Sequence, residues 1–324
     1  MKITGVVLAV LMFLLHGAHP VKAATMSITF NPATVPGGSS ATGSVTISEQ
    51  APEGGLTVSL SSNTPAAAVP QRIVIPAGSI EATFTVGAAW IAAPTRVQIV
   101  ATSIGQIYAS GMGTLTLLPS GVTSVIFDPP NVVGGAPSVG TVLLSAPAPA
   151  AGIVVQLAVV DPPAAPCSPA PKVPATVRVA GGAQRATFPI ETSPSWEEAF
   201  DIRASYAVTS ATSPLRVTKP WLKELKLPAR VKGGTTVQGV VQLAGPSLPP
   251  NCGIKHRLAS SDPAMADVPS DIVFPGGASE VAFEMKTAKV PTPHGVTLTV
   301  TAFYFLTTDA YAESKETRIA VTPW

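Results

Sequence analysis

The chain has 324 residues, 46% of them apolar and only 12% charged, with 20 basic and 18 acidic side chains for a formal charge of +2. Balanced, sparse charge leaves no electrostatic footprint for nucleic acid or an anionic membrane surface, so neither is an expected partner. With 34 Pro and 27 Gly beside that apolar content, the chain reads as many short apolar segments separated by frequent turns, which is an all-β composition.

The N-terminus has the layout of a cleavable export signal. Lys2 is followed by the apolar run Val6 to Leu15, then by Gly17 and Pro20, and Val21-Lys22-Ala23 supplies small residues before a cut after Ala23 or Ala24. Ten apolar residues are half of what a bilayer span requires, and no second run reaches that length, so no membrane span is expected. Removing residues 1–23 also removes Lys2 and Lys22, leaving 18 basic against 18 acidic residues and a mature net charge of 0. The expected localisation is exported: periplasmic, cell-surface or extracellular.

Three stretches then repeat. Ile28-Thr-Phe-Asn-Pro-Ala-Thr-Val-Pro-Gly-Gly38 matches Val125-Ile-Phe-Asp-Pro-Pro-Asn-Val-Val-Gly-Gly135, and more loosely Leu225-Lys-Leu-Pro-Ala-Arg-Val-Lys-Gly-Gly234. The leading glycines, Gly37, Gly134 and Gly233, stand 97 and 99 residues apart. Val69-Pro…Ala82-Thr-Phe84 recurs as Val173-Pro…Ala186-Thr-Phe188 and Val268-Pro…Val281-Ala-Phe283. Ile99-Val-Ala101, Ile202-Arg-Ala204 and Val300-Thr-Ala302 form a third anchor, and three anchors in constant order define a repeat of about one hundred residues. Each repeat is expected to hold seven short strands, in the first near 27–31, 40–48, 56–62, 71–75, 80–86, 95–103 and 107–117. Within them apolar residues alternate with Thr, Ser and Gln, as in Leu56/Val58/Leu60 and Val97/Ile99/Ala101, so each strand has one buried face. The expected fold is three tandem immunoglobulin-like β-sandwich domains at 25–119, 123–219 and 221–324.

The unit resembles the bacterial Ig-like repeats of large secreted and surface proteins, which carry a similar Asn-Pro…Val-x-Gly-Gly opening and Val-Pro…Ala-Thr-Phe-x-Val centre. The resemblance covers essentially all of residues 26–324. It implies an exported spacer, adhesive or accessory module, and it brings no catalytic residues with it.

Cys167 lies in a Pro-rich insertion after the third strand of the second repeat, and Cys252 in the turn before the third strand of the third. In end-to-end sandwiches those two turns face the same junction, so a Cys167–Cys252 disulfide is expected in an oxidising compartment. Two unpaired thiols are the alternative. The short Thr218-Lys-Pro-Trp221 connection agrees with a rigid pairing there, whereas Leu118 to Val122 has no staple.

Chemistry is sparse. His16 and His19 depart with the signal. His256 aligns with Val58 and Val155 at an inward strand position and reads as a satisfied, partly buried histidine rather than a metal ligand. Asp262, Asp267 and Asp271 read as solvated loop acids rather than a calcium site. No metalloprotease, nucleophile-elbow or phosphate-loop motif occurs, so no catalytic residue, no metal and no cofactor are expected. Trp90, Trp196 and Trp221 read as plugs at domain edges, and Tyr206 and Tyr304 as tyrosine-corner residues. Along the penultimate strand of the third repeat, Leu298, Val300, Ala302 and Tyr304 take inward positions. Phe303 and Phe305 then point outward, where the sister repeats have Thr102 and Ile104, or Ser205 and Ala207. These two Phe are the binding candidates, either as a contact patch or covered by a neighbouring element. The expected function is a non-catalytic cell-surface, adhesive or protein-interaction module. The alternative is a carbohydrate-binding accessory protein; the partner is thus a protein or glycan at the cell surface.

Overall fold

The computed structural model describes residues 24–105, 108–162, 167–252, 254–305 and 310–324. The expected signal, residues 1–23, lies outside them. Among the described residues the regular structure is almost entirely strand, and no helix is long and apolar enough to cross a membrane. Two compact units divide between Ser120 and Gly121.

The first unit contains β1 (Met26–Asn31), β2 (Thr34–Pro36), β3 (Ser40–Ile47), β4 (Leu56–Ser62), β5 (Ala67–Ala68), β6 (Arg72–Ile75), β7 (Glu81–Ala88), β8 (Thr95–Ser103) and β9 (Gly111–Leu118). They form two sheets, β1-β3-β7-β5 and β2-β9-β8-β4-β6. One apolar core lies between them, with Ile28, Val45 and Val86 from the first sheet and Val58, Ile99 and Leu115 from the second. That strand order is the immunoglobulin-like one.

The second unit holds two further sheet pairs. The second repeat comprises β10 (Val122–Asp128), β11 (Asn131–Val133), β12 (Ser138–Leu144), β13 (Ile153–Val159), β14 (Thr176–Val179), β15 (Arg185–Ile190), β16 (Glu198–Tyr206) and β17 (Thr209–Thr218). The third comprises β18 (Leu222–Lys226), β19 (Arg230–Lys232), β20 (Thr236–Leu243), β21 (Ile254–Ser260), β22 (Ala266–Asp267), β23 (Asp271–Ile272), β24 (Glu280–Thr287), β25 (His294–Phe305) and β26 (Ala310–Thr322). The third repeat's sheets, β18-β20-β24-β22 with β19-β26-β25-β21-β23, repeat the first pattern, and the second's, β10-β12-β15 with β11-β17-β16-β13-β14, do so without a strand equivalent to β5.

Seven strands per repeat is an undercount: the opening strand is split in all three, and the first and third repeats add a two-residue strand, β5 and β22. Pro32, Pro129 and Pro228 each follow the first segment, and a proline has no N–H to continue a ladder. The chain therefore leaves one sheet and joins the other, where β2, β11 and β19 run parallel to β9, β17 and β26.

The repeated glycines have steric causes. A Cβ on Gly37, Gly134 or Gly233 would lie 2.6–2.7 Å from the carbonyl oxygens of Ala89, Ser193 or Ala288. The second glycine of each pair turns through φ of 84°, 92° and 75°, a region open to glycine at little cost. A further glycine sits mid-strand opposite each anchor phenylalanine: Gly43 opposite Phe84, Gly140 opposite Phe188, Gly239 opposite Phe283. A Cβ there would fall 2.4, 2.2 and 2.3 Å from the ring's Cζ, so the ring tip occupies the space a side chain would need. Gly43→Ala is expected to lower the first unit's stability by about 1–3 kcal/mol through overpacking. Gly87→Ala on the same sheet, where the nearest atom stands 3.9 Å from a built Cβ, is expected to cost under about 1 kcal/mol. Denaturant midpoints of the two variants check the difference.

Candidate functional site

The second and third repeats meet at a covalent junction. Cys167 and Cys252 form a disulfide with a Cα–Cα separation of 5.7 Å across 85 residues of sequence. The Cys167 carbonyl accepts from the Trp196 amide at 3.1 Å. The Trp196 indole in turn meets the Tyr304 ring edge-on, with centroids 6.1 Å apart. Tyr304 is fully buried. Its hydroxyl donates to the Glu313 carboxylate and lies 3.4 Å from the Pro220 carbonyl. The Lys219 ammonium stands 4.7 Å above the ring. Glu313 also accepts the Leu222 amide at 2.6 Å, fixing the first residue of β18. Burial, then the hydrogen bond and charge of Glu313, push the Tyr304 hydroxyl far above the usual phenol range, so it remains a donor. Tyr304 thus joins the connection between repeats to the third sheet pair, a wider role than the expected corner. Trp196 does plug this edge. Trp221 is 44% exposed and does not, because its neighbours Pro220 and Leu222 take the buried positions.

The penultimate strand of the third repeat alternates as its sequence predicts: Leu298, Val300, Ala302 and Tyr304 are buried, and Thr299, Thr301 and Phe303 are half-buried. Phe303 lies opposite Lys255 on β21 and Ala312 on β26. The Arg257 guanidinium sits 5.6 Å from its ring centroid and approaches Asp271 at 4.0 Å. The ring is therefore capped by a cation rather than open. Phe305 ends the ladder opposite Ala310; its side chain lies outside the described residues.

The third repeat also contains a cavity of about 480 Å³. Leu248, Ile254, Ile272 and Phe274 form its apolar wall, with His256, Lys255, Arg257 and Asp271 among the polar residues. His256 is buried at the inward position expected for it. Its ring packs on Phe274 with centroids 4.7 Å apart. Burial, opposed by the Glu313 charge, lowers its pKa to about 4, so the imidazole is neutral at neutral pH.

Two of the loop acids, Asp262 and Asp271, have different partners. Asp262 pairs with His294 at 3.1 Å, and Asp271 faces Ser270 and Arg257. Among the described residues no group of three His, Cys, Asp or Glu side chains is placed to hold a metal ion. The signals for the Tyr304–Glu313 pair and the cavity escaped the sequence reading; a buried-phase tyrosine beside a proline-containing connection was the available clue to the first.

No protein-family model and no curated protein matches the chain. Among solved structures it is similar to invasin, a bacterial integrin-binding protein, at 11% identity and a TM-score of 0.33, over 92% of this chain and 60% of that one. The Yersinia pseudotuberculosis adhesin InvE aligns at 15% identity and a TM-score of 0.29, over 60% of this chain and 58% of that one. The D0-D1 domain of intimin aligns at 13% identity and a TM-score of 0.25, over 61% of this chain and 98% of that one. The chain thus spans less than two thirds of the first two.

Replacing both Cys167 and Cys252 by Ala is expected to cost about 4–5 kcal/mol in the chain-entropy description of a loop this long. Chemical denaturation of the second unit checks this, beside alkylation of the unreduced protein, which should label no thiol. His256 titrates near 6.5 when unfolded and near 4 when folded. Between those values the unfolded chain holds the extra proton, so stability falls as pH drops through that window, by up to about 3 kcal/mol. His256→Val should abolish that part of the acid sensitivity in unfolding curves recorded at a series of pH values.

Proposed function

We propose that the protein is an exported, non-catalytic interaction module of three immunoglobulin-like domains, 25–119, 123–219 and 221–324, cut from its signal after Ala23 or Ala24. Three sheet pairs in the order of the three sequence repeats support the division. The Cys167–Cys252 bond supports export, since such bonds persist in oxidising compartments. The second and third domains then act as one stapled support, and the third presents the binding face.

The observation that carries the reading is Phe303. It stands half-buried on the outer face of a five-stranded sheet, flanked by Lys255 and capped by Arg257. Aromatic residues, Phe among them, and Arg are enriched at the cores of protein–protein interfaces. A protein partner at a cell surface fits better than a glycan, because Arg257 already occupies a ring face on which a sugar would stack. Phe305 is proposed to extend the same face.

The test is binding of the oxidised protein to whole cells and to a glycan array, with a Phe303→Ser/Phe305→Ser variant alongside. Saturable cell binding that falls at least tenfold in the folded variant, with no glycan retained, is expected. Cell binding unchanged in the variant would remove the face from the account, and glycan binding would replace the partner class.

A further inference from the structure

The third repeat departs from its sisters beside β21. In the first repeat β4 and β6 share four residue pairs, from Leu56↔Ile75 to Ser59↔Arg72, and β13 and β14 share four in the second. In the third, β21 and β23 share two, His256↔Ile272 and Arg257↔Asp271. The ladder stops before Ile254 would meet Phe274. Leu258 donates its amide to Ser270 on this side at 3.0 Å, so alternate residues, Ile254 included, turn their backbone polar groups toward the gap.

A longer lead-in accompanies the gap. Eleven positions separate Leu243 from Ile254, against nine between Ile47 and Leu56 and nine between Leu144 and Ile153. The extra length carries Cys252, which the disulfide draws to the second repeat. The cavity of about 480 Å³ opens where the two pairs are missing, and both Ile254 and Phe274 line it. Its volume lies in the range of small-molecule sites. His256 stands in its wall where Val58 and Val155 stand in the sister repeats, and is 7% exposed. An imidazole in place of valine gives the cavity wall a side-chain hydrogen-bonding group that the sister repeats lack.

We propose that this cavity binds a small amphipathic anion. Its apolar body packs against Leu248, Ile272 and Phe274, and its acid group takes hydrogen bonds from the His256 imidazole and the Ile254 amide. Lys255 and Arg257 line the same cavity against the single carboxylate of Asp271, so the local charge favours an anion. The cavity shares Lys255 and Arg257 with the outer face but does not include Phe303.

Anilinonaphthalene sulfonate, an aromatic anion, is the probe, titrated into the oxidised protein at neutral pH and followed by fluorescence. One saturable site per chain is expected. His256→Val, which installs the residue of both sister repeats, should weaken binding about tenfold, the value of one hydrogen bond to a charged group. Leu248→Trp, which fills the cavity, should remove binding while the melting transition persists, and Phe303→Ser should leave it unchanged. Absence of saturable binding, an affinity in His256→Val within about twofold of the parent, or loss of the site in Phe303→Ser would overturn the proposal.

Discussion

The Cys167–Cys252 bond is the constraint on which the second unit's distinctive features converge. It ties the insertion after β13 to the turn before β21, and the backbone beside each sulfur is engaged at once: Cys167 by Trp196, Cys252 by the turn that starts at Pro249. The contacts around it are strong because they are dry. Tyr304 meets an indole, an ammonium and a carboxylate in one buried place, and low local polarity strengthens each of these interactions. Surface ion pairs elsewhere, such as Arg216 with Glu197 at 3.5 Å, have both partners more than half exposed and add little.

The same staple separates the third sheet pair from its sisters. Where Leu56 and Ile153 enter their strands after short turns and pair fully, Ile254 enters after a longer one anchored at Cys252. The edge strand is shortened, a buried histidine replaces valine, and a cavity replaces two rungs of ladder. A repeat duplicated for packing alone has no need of any of these changes.

Much of this was legible in the residues. Period-two alternation placed the strands of the first repeat within a few residues, because one face of each must be buried. The Gly-Gly pairs and the anchor phenylalanines marked the repeat because a carbonyl oxygen and a ring tip leave no room for a Cβ. The disulfide followed from which turns share a pole. The split opening strand was not foreseen: Pro32 announces a break, but parallel pairing of Thr34–Pro36 with β9 is a tertiary choice. Trp221 is exposed for a similar reason, since a residue at a junction need not be the one turned inward. The gap beside β21 depends on the register of two segments and the length of the turn before them, and apolar alternation carries neither quantity.

Hydrogen exchange on the oxidised and the reduced protein, followed residue by residue, tests the central role of the crosslink most directly. The account predicts that reduction raises exchange at least tenfold at the Leu222 and Trp196 amides and at the start of β21, while β3 and β7 of the first unit keep their protection. Equal protection of the junction with and without the disulfide would contradict it, and the support for the third repeat's cavity and outer face would have to lie in packing alone.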